Sequence, residues 1–183
     1  MRVPNGDLYL SVARGGGEHV KEAMGGLYIS RDGAESWERL PLPGTSYFVN
    51  NMDYDHTNPA RIYAACWECT SGLHKEANPK DQNPNTGGLY ISEDSGYTWS
   101  KLWPGSGHGR NTYGVLVDRF NPNNLYCSTF EGEFMHSADM GKTWTRDNGY
   151  AFRWSQQVFQ NPFEKKGIYV ATFGGGVWHG TRD

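Results

Sequence analysis

An all-β fold, assembled from repeated four-stranded antiparallel sheets, is predicted for this chain of 183 residues by three observations. An octet of the form Ser-x-Asp-x-Gly-x-Thr-Trp recurs along it, the segments between octets alternate apolar and polar residues with period two, and aromatic residues make up 14% beside 24 Gly and 9 Pro. Alternation places every second side chain on one sheet face, and Gly with Pro punctuates the turns between strands. The length fits one domain, residues 1–183, with a core of its own.

The clearest octet is Ser92-Glu-Asp94-Ser-Gly96-Tyr-Thr98-Trp99. It returns as Ser137-Ala-Asp139-Met-Gly141-Lys-Thr143-Trp144 and, altered, as Ser30-Arg-Asp32-Gly-Ala34-Glu-Ser36-Trp37. Ser and Asp side chains bond nearby backbone N–H groups, Gly supplies a left-handed residue, and Trp fills the space beneath, so each octet reads as a tight turn between strands. In the first copy, Ala34 for Gly and Ser36 for Thr predict a distorted turn. The three Asp residues are read as turn formers and not as catalysts.

Three copies of this spelling resemble the Asp box, or BNR repeat, of sialidases, xyloglucanases, sortilin-type receptors and some assembly factors. With their flanks they cover almost the whole chain. The resemblance implies a β-propeller; it implies little about activity, since families sharing the box differ widely in what they do.

Each octet closes the third strand of a unit whose strands we letter a to d from the inside outward. The first unit (about 1–40) offers b at Leu8 to Val12, c at Gly26 to Ile29 and d at Trp37 to Leu40, with no a. In the second (41–102), a runs from Tyr47 to Asp53, b from Ile62 to Ala65 and c from Leu89 to Ile91, and d begins at Trp99. The third (103–147) has a at Tyr113 to Asp118, b at Leu125 to Ser128, c at Glu133 to His136 and d from Trp144. The fourth (148–183) has a at Trp154 to Gln160, b at Ile168 to Ala171 and c at Gly176 to His179, with no d. Asn-Pro pairs at 58–59, 121–122 and 161–162 mark the a–b turns.

The octets begin at 30, 92 and 137, so the second unit carries an insertion of 17 residues relative to the third, between Cys66 and Gly87. A four-stranded repeat of about 45 residues is the signature of a propeller blade. Fourteen strands with both end blades short make a poor closed ring. The expectation is the carboxy-terminal part of a larger propeller of six to eight blades, either self-associating or completed by a partner chain; the competing reading is a compact four-bladed ring.

The net charge of −3 arises from 20 acidic and 17 basic residues without a basic block, which argues against a nucleic-acid partner. No apolar run approaches the ~20 residues of a membrane span. Family resemblance implies an extracellular or periplasmic protein, although the opening residues carry no signal peptide. Cys66-Trp-Glu-Cys69, with His74 beyond, has half-site spacing for zinc, but no second pair accompanies it; a local disulfide or two thiols is the better reading. No metal and no cofactor is expected.

In such a blade the octets share one face with the Asn-Pro turns, and the opposite face receives the variable loops. Those loops concentrate aromatic and charged residues: Trp67, Glu68 and His74 from the second unit, Arg110 and Tyr113 before the third, Arg153 and Trp154 before the fourth. Aromatic platforms beside forked cations suit sugars, and two guanidiniums could clamp an anionic one, as the arginine cluster of sialidases does; tethering of a loop is the plainer role for each Arg. Hydrolysis would need two opposed carboxyl groups ~5–9 Å apart. Glu18, Glu22, Glu68 and Glu131 are the candidates, and no spacing pairs them. The reading is therefore a carbohydrate- or protein-binding propeller module, not catalytic as this chain alone. The alternatives are part of a secreted glycoside hydrolase of sialidase or xyloglucanase type, and a sortilin-like interaction scaffold.

Overall fold

The computed structural model describes residues 1–12, 26–41, 43, 49–67, 87–103, 111–130, 132–150, 152 and 154–181. Fourteen strands form four antiparallel sheets in chain order. Blade 1 holds β1 (Leu8–Val12), β2 (Gly26–Ser30) and β3 (Glu38–Leu40). Blade 2 holds β4 (Val49–Asp55), β5 (Asn58–Cys66), β6 (Gly88–Ser92) and β7 (Ser100–Trp103). Blade 3 holds β8 (Thr112–Val117), β9 (Leu125–Thr129), β10 (Phe134–Ser137) and β11 (Thr145–Arg146), and blade 4 holds β12 (Ser155–Gln160), β13 (Gly167–Thr172) and β14 (Gly176–Thr181). Every strand is hydrogen-bonded to the next in sequence within its blade, the up-and-down order expected from the repeat.

Period-two alternation settles the packing. Along β5, Ile62 contributes to the cluster shared with blade 1, which includes Tyr9, Leu27, Ile29 and Leu40. Its neighbours Tyr63 and Ala65 point the other way, into a cluster with Leu89, Trp103, Val115, Val117, Leu125 and Cys127. A middle strand is thus buried on both faces, and β9 is buried at all five positions. Fully burying each such aliphatic side chain contributes about 1.5–3 kcal/mol.

The innermost strands are joined by side chains. Asn51 Oδ1 of β4 accepts the Val115 N–H of β8 at 3.1 Å, Asp53 Oδ2 accepts that of Val117 at 2.8 Å, and Asn50 Nδ2 donates to the Thr112 carbonyl at 3.1 Å. Burial drives the Asp53 carboxyl up to about 6, against the opposing pull of the Val117 and Tyr54 N–H groups and of Arg119. Between blades 3 and 4 the strands approach closely at Gly114, where a Cβ would lie 3.1 Å from the Val158 nitrogen.

Blade 1 has more of its inner strand than the pattern predicts. Arg2 bridges Leu8, the Tyr9 N–H donates to the Met1 carbonyl at 2.8 Å, and the Asp7 N–H donates to Asn5 Oδ1 across a Pro4-Asn5-Gly6 turn. Three residues are too few to show alternation, so this rudiment of strand a is invisible to a periodicity argument. The other strands lie within about two residues of their expected bounds except β5, which begins at Asn58 and not at Ile62 and so takes in the Asn58-Pro59 pair that was expected in the a–b turn.

The octets are one motif built three times. In the second, Ser92 Oγ donates to Asp94 Oδ1 and accepts the Gly96 N–H, both at 2.8 Å. Thr98 donates its N–H to Asp94 Oδ1 at 2.8 Å and its hydroxyl to Oδ2 at 2.6 Å. Ser137, Asp139, Gly141 and Thr143 repeat this set, as do Ser30, Asp32, Ala34 and Ser36. These bonds hold all three Asp carboxyls at about 2.

The distortion expected at the first octet is therefore absent, and its neighbours explain why. A Cβ on Gly96 would sit 3.0 Å from Leu40 Cδ1 and one on Gly141 only 2.4 Å from Leu102, each Leu belonging to the outer strand of the preceding blade. Ala34 is exposed, so its methyl has room, and it takes the same left-handed conformation (φ 78°) as Gly96 (92°) and Gly141 (84°). The octet tryptophans follow suit. Trp99 donates its indole N–H to the Pro41 carbonyl behind β3, and Trp144 packs 5.8 Å from Trp103 of β7, whereas Trp37 is 39% exposed. The space that Trp was expected to fill belongs to the junction with the preceding blade, not to its own turn.

Candidate functional site

The octets and the a–b turns lie on one face: Ser95 N–H donates to the Ala60 carbonyl and Met140 N–H to that of Asn123, both at 2.9 Å. At that face Arg61 forks between the buried carboxylate of Asp55 and Glu93. Polar groups there are occupied in holding turns.

The opposite ends of the strands carry aromatic rings. Trp67 follows β5, Tyr113 lies on β8, Phe130 follows β9 and Trp154 precedes β12. Trp67 meets Tyr113 edge-on at 5.0 Å and Phe130 at 5.8 Å; Tyr113 and Phe130 are 5.7 Å apart, and Phe130 stacks on Trp154 at 6.1 Å. Four rings from blades 2, 3 and 4 thus form one continuous apolar surface. Trp154 is 51% exposed and has a left-handed backbone (φ 61°), the one non-glycine residue outside the octets with positive φ among the described residues. Its N–H donates to the Phe130 carbonyl at 3.1 Å and its carbonyl accepts the Phe173 N–H at 2.9 Å, which fixes the strained residue from both sides. Such strain costs about 1–3 kcal/mol and persists only where surrounding bonds enforce it.

Of the residues singled out from sequence, Trp67, Tyr113 and Trp154 are brought together here. Glu68, His74, Arg110 and Arg153 lie outside the described residues, as do Cys69, Glu18, Glu22, Glu131 and residues 70–86 of the insertion. Cys66 is buried on β5. Among the described residues no group of three His, Cys, Asp or Glu side chains could hold a metal ion, and no helix is long and apolar enough to cross a membrane.

Phe130 was not among the sequence candidates, yet its signal was available. Trp67, Phe130 and Phe173 each stand five residues after the apolar residue of the apolar-Tyr pair in strand b (Ile62, Leu125, Ile168). The lacing bond recurs with them: Phe130 N–H donates to the Asn111 carbonyl at 3.0 Å as Phe173 N–H does to that of Trp154.

A concavity of about 580 Å³ opens between the outer strands of blades 3 and 4. Tyr150, Phe152 and Trp178 line it together with His136, Arg146 and Asp147. Phe152 stacks on Trp178 at 3.8 Å, and His136 on Tyr126 at 4.8 Å.

No protein-family model matches this chain, and no curated protein does. Solved structures do match. YCF48 bound to D1 peptide superposes with a TM-score of 0.64 at 17% identity, over 100% of this chain and 49% of its own. A GH74 enzyme from Niastella koreensis gives 0.64 at 20% identity over 96% and 26%, and an auxiliary nutrient binding protein from Bacteroides thetaiotaomicron 0.65 at 13% over 100% and 37%. This chain spans about half the length of the first and less of the others. At such identities the likeness is one of fold, and the neighbours are propeller proteins. The chain is a run of four β-propeller blades.

Proposed function

We propose that this chain is a binding module of the Asp-box type, taking a carbohydrate on its loop face without catalysing a reaction by itself. The observation that carries the reading is the surface formed by Trp67, Tyr113, Phe130 and Trp154, with Trp154 fixed and half exposed. Flat apolar rings beside polar loop termini match the apolar faces and hydroxyl rim of a sugar ring, and a platform locked before binding loses little conformational entropy on binding. Arg110 and Arg153 are proposed to add charge at its edge, and Glu68 and His74 to approach it from the insertion. A location outside the cytoplasm, extracellular or periplasmic, accords with such a ligand.

A peptide ligand is the second reading, favoured by the same exposed aromatics and by the likeness in fold to YCF48, whose structure holds a D1 peptide. A role within a larger glycoside hydrolase would need an opposed carboxylate pair on this face.

The test titrates the purified chain against neutral and acidic oligosaccharides and against unstructured peptides, by calorimetry. Saturable binding of one oligosaccharide class, weakened tenfold or more by Trp154→Ala and Tyr113→Ala, supports the reading. Binding that neither substitution alters, or peptide binding alone, removes it. Release of reducing ends from that oligosaccharide would instead point to catalysis.

A further inference from the structure

The innermost strands of blades 2, 3 and 4 share one irregularity. On β4 the register passes from Val49 opposite Cys66 to Asn51 opposite Ala65, so Asn50 has no counterpart across the ladder. Tyr113 of β8 and Gln156 of β12 are left over in the same way, between Thr112 and Gly114 and between Ser155 and Gln157. The three bulges are equivalent: the partners that follow them, Ala65, Ser128 and Ala171, each stand three residues after the first residue of the apolar-Tyr pair. The residue before each bulge, Val49, Thr112 or Ser155, is buried, whereas the bulge residue itself is partly exposed. A bulge bends its strand and re-aims one side chain out of the ladder, a device common beside active sites.

The three bulges lie side by side. Asn50 Nδ2 donates at 3.1 Å to the carbonyl of Thr112, the neighbour of Tyr113. On the other side Gly114 lets the bulge of blade 4 come close, since a Cβ there would lie 3.1 Å from the Val158 nitrogen and 3.3 Å from the Gln156 carbonyl. Asn50 and Gln156 therefore flank Tyr113, the residue by which the inner strands enter the aromatic surface with Trp67 and Phe130. A primary amide donates through its nitrogen and accepts through its oxygen. Among the described residues the bond to Thr112 uses one N–H of Asn50 and leaves the second N–H and the oxygen, and Gln156 brings the same groups. A sugar hydroxyl is likewise donor and acceptor at one atom. No side chain of the bulge row or of the aromatic surface carries a formal charge.

We infer that Asn50 and Gln156 are the hydrogen-bonding residues of the loop-face platform and that they select a neutral sugar, whose hydroxyls exchange hydrogen bonds with the two amides while its apolar face rests on the rings. The inference rests on the carbohydrate reading above and names, within it, the ligand class and the polar contacts. An ionised sugar carboxylate only accepts hydrogen bonds, so it would leave an amide oxygen that faces it without a donor, and this penalty disfavours acidic sugars. Guanidinium donors, as proposed for Arg110 and Arg153, serve neutral hydroxyls as well as anions.

Calorimetry on the full chain tests it, with neutral hexasaccharides of glucose, mannose and galactose and with hexagalacturonate and hexamannuronate as anionic counterparts. One neutral hexasaccharide should bind at least about tenfold more tightly than either uronate. Asn50→Ala and Gln156→Ala should each weaken that binding about five- to tenfold, the loss of one hydrogen bond. Asn50 also ties β4 to β8, so Gln156→Ala decides the matter if Asn50→Ala fails to fold, which circular dichroism checks. Undiminished binding in either folded variant, while Trp154→Ala still weakens it tenfold, overturns the inference and leaves the aromatic platform standing. Binding of a uronate as tight as that of the neutral sugars likewise overturns it. If none of the five oligosaccharides binds at millimolar concentration, the carbohydrate reading falls and the inference falls with it.

Discussion

The junction between blades 2 and 3 and the one between blades 3 and 4 are made from the same repeat and end in opposite states. At the first, inner strands are stitched by Asn50, Asn51 and Asp53, the middle strands share one hydrophobic cluster, and the outer edge is closed by Leu102 over Gly141 and Trp103 beside Trp144. At the second, inner and middle strands still pack, through Val158, Ile168 and Val170 against Leu116, Tyr126 and Phe134, but the outer third is a groove. The difference teaches that a blade junction is sealed at its rim by the fourth strand and its Trp.

The sharpest way to break this contrast is a cavity at the sealed junction. Leu125→Ala removes a fully buried side chain and should cost about 2–5 kcal/mol in denaturant unfolding. Val177→Ala on the exposed strand β14 should stay within about 0.5 kcal/mol. Similar losses in both would mean that the outermost strand of blade 4 is packed as tightly as the middle strand of blade 3.

Next in size is pH. The Asp53 carboxyl titrates higher in the folded chain, near 6, than in the unfolded one, so its contribution is full below about pH 4 and is lost as pH rises through 6. That loss should amount to roughly 1–3 kcal/mol. The octet carboxylates act in the opposite sense: held at about 2, they stabilise above pH 4 and fail only as pH falls toward 2. Asp53→Asn should flatten the decline between pH 4 and 7 and leave the acid limb unchanged, measured by thermal melts across pH.

A comparable effect separates the octets. Gly141→Ala puts a methyl 2.4 Å from Leu102 in a left-handed residue and should cost about 1–3 kcal/mol, while Ala34→Gly should change stability by less than about 1 kcal/mol. Equal responses would mean that the turn itself, and not the neighbouring blade, demands glycine.

Most strands were legible because alternation and the octets are local signals, and a blade's strands follow one another in sequence. The first octet misled for a related reason: Ala34 was judged against its own turn, while the residue that decides between Ala and Gly is a Leu some 40–60 positions earlier at the other copies, Leu40 for Gly96 and Leu102 for Gly141. Trp67, Tyr113 and Trp154 could be placed on one face from topology. Phe130 could have joined them by its spacing from the apolar-Tyr pair. The groove could not be read, because what makes it is the space between two blades, and no residue type announces that. The elevated Asp53 carboxyl likewise depends on β8 lying against β4, 64 residues away.

The lacing between Asn111 and Phe130 recurs between Trp154 and Phe173 at an offset of 43 residues on both sides. A tandem in-frame copy of residues 112–154 would therefore begin and end at matching points of that bond pattern. Such a fold can grow by gene duplication one wedge at a time, each newcomer inheriting the means to tie itself to the wedges before and after it.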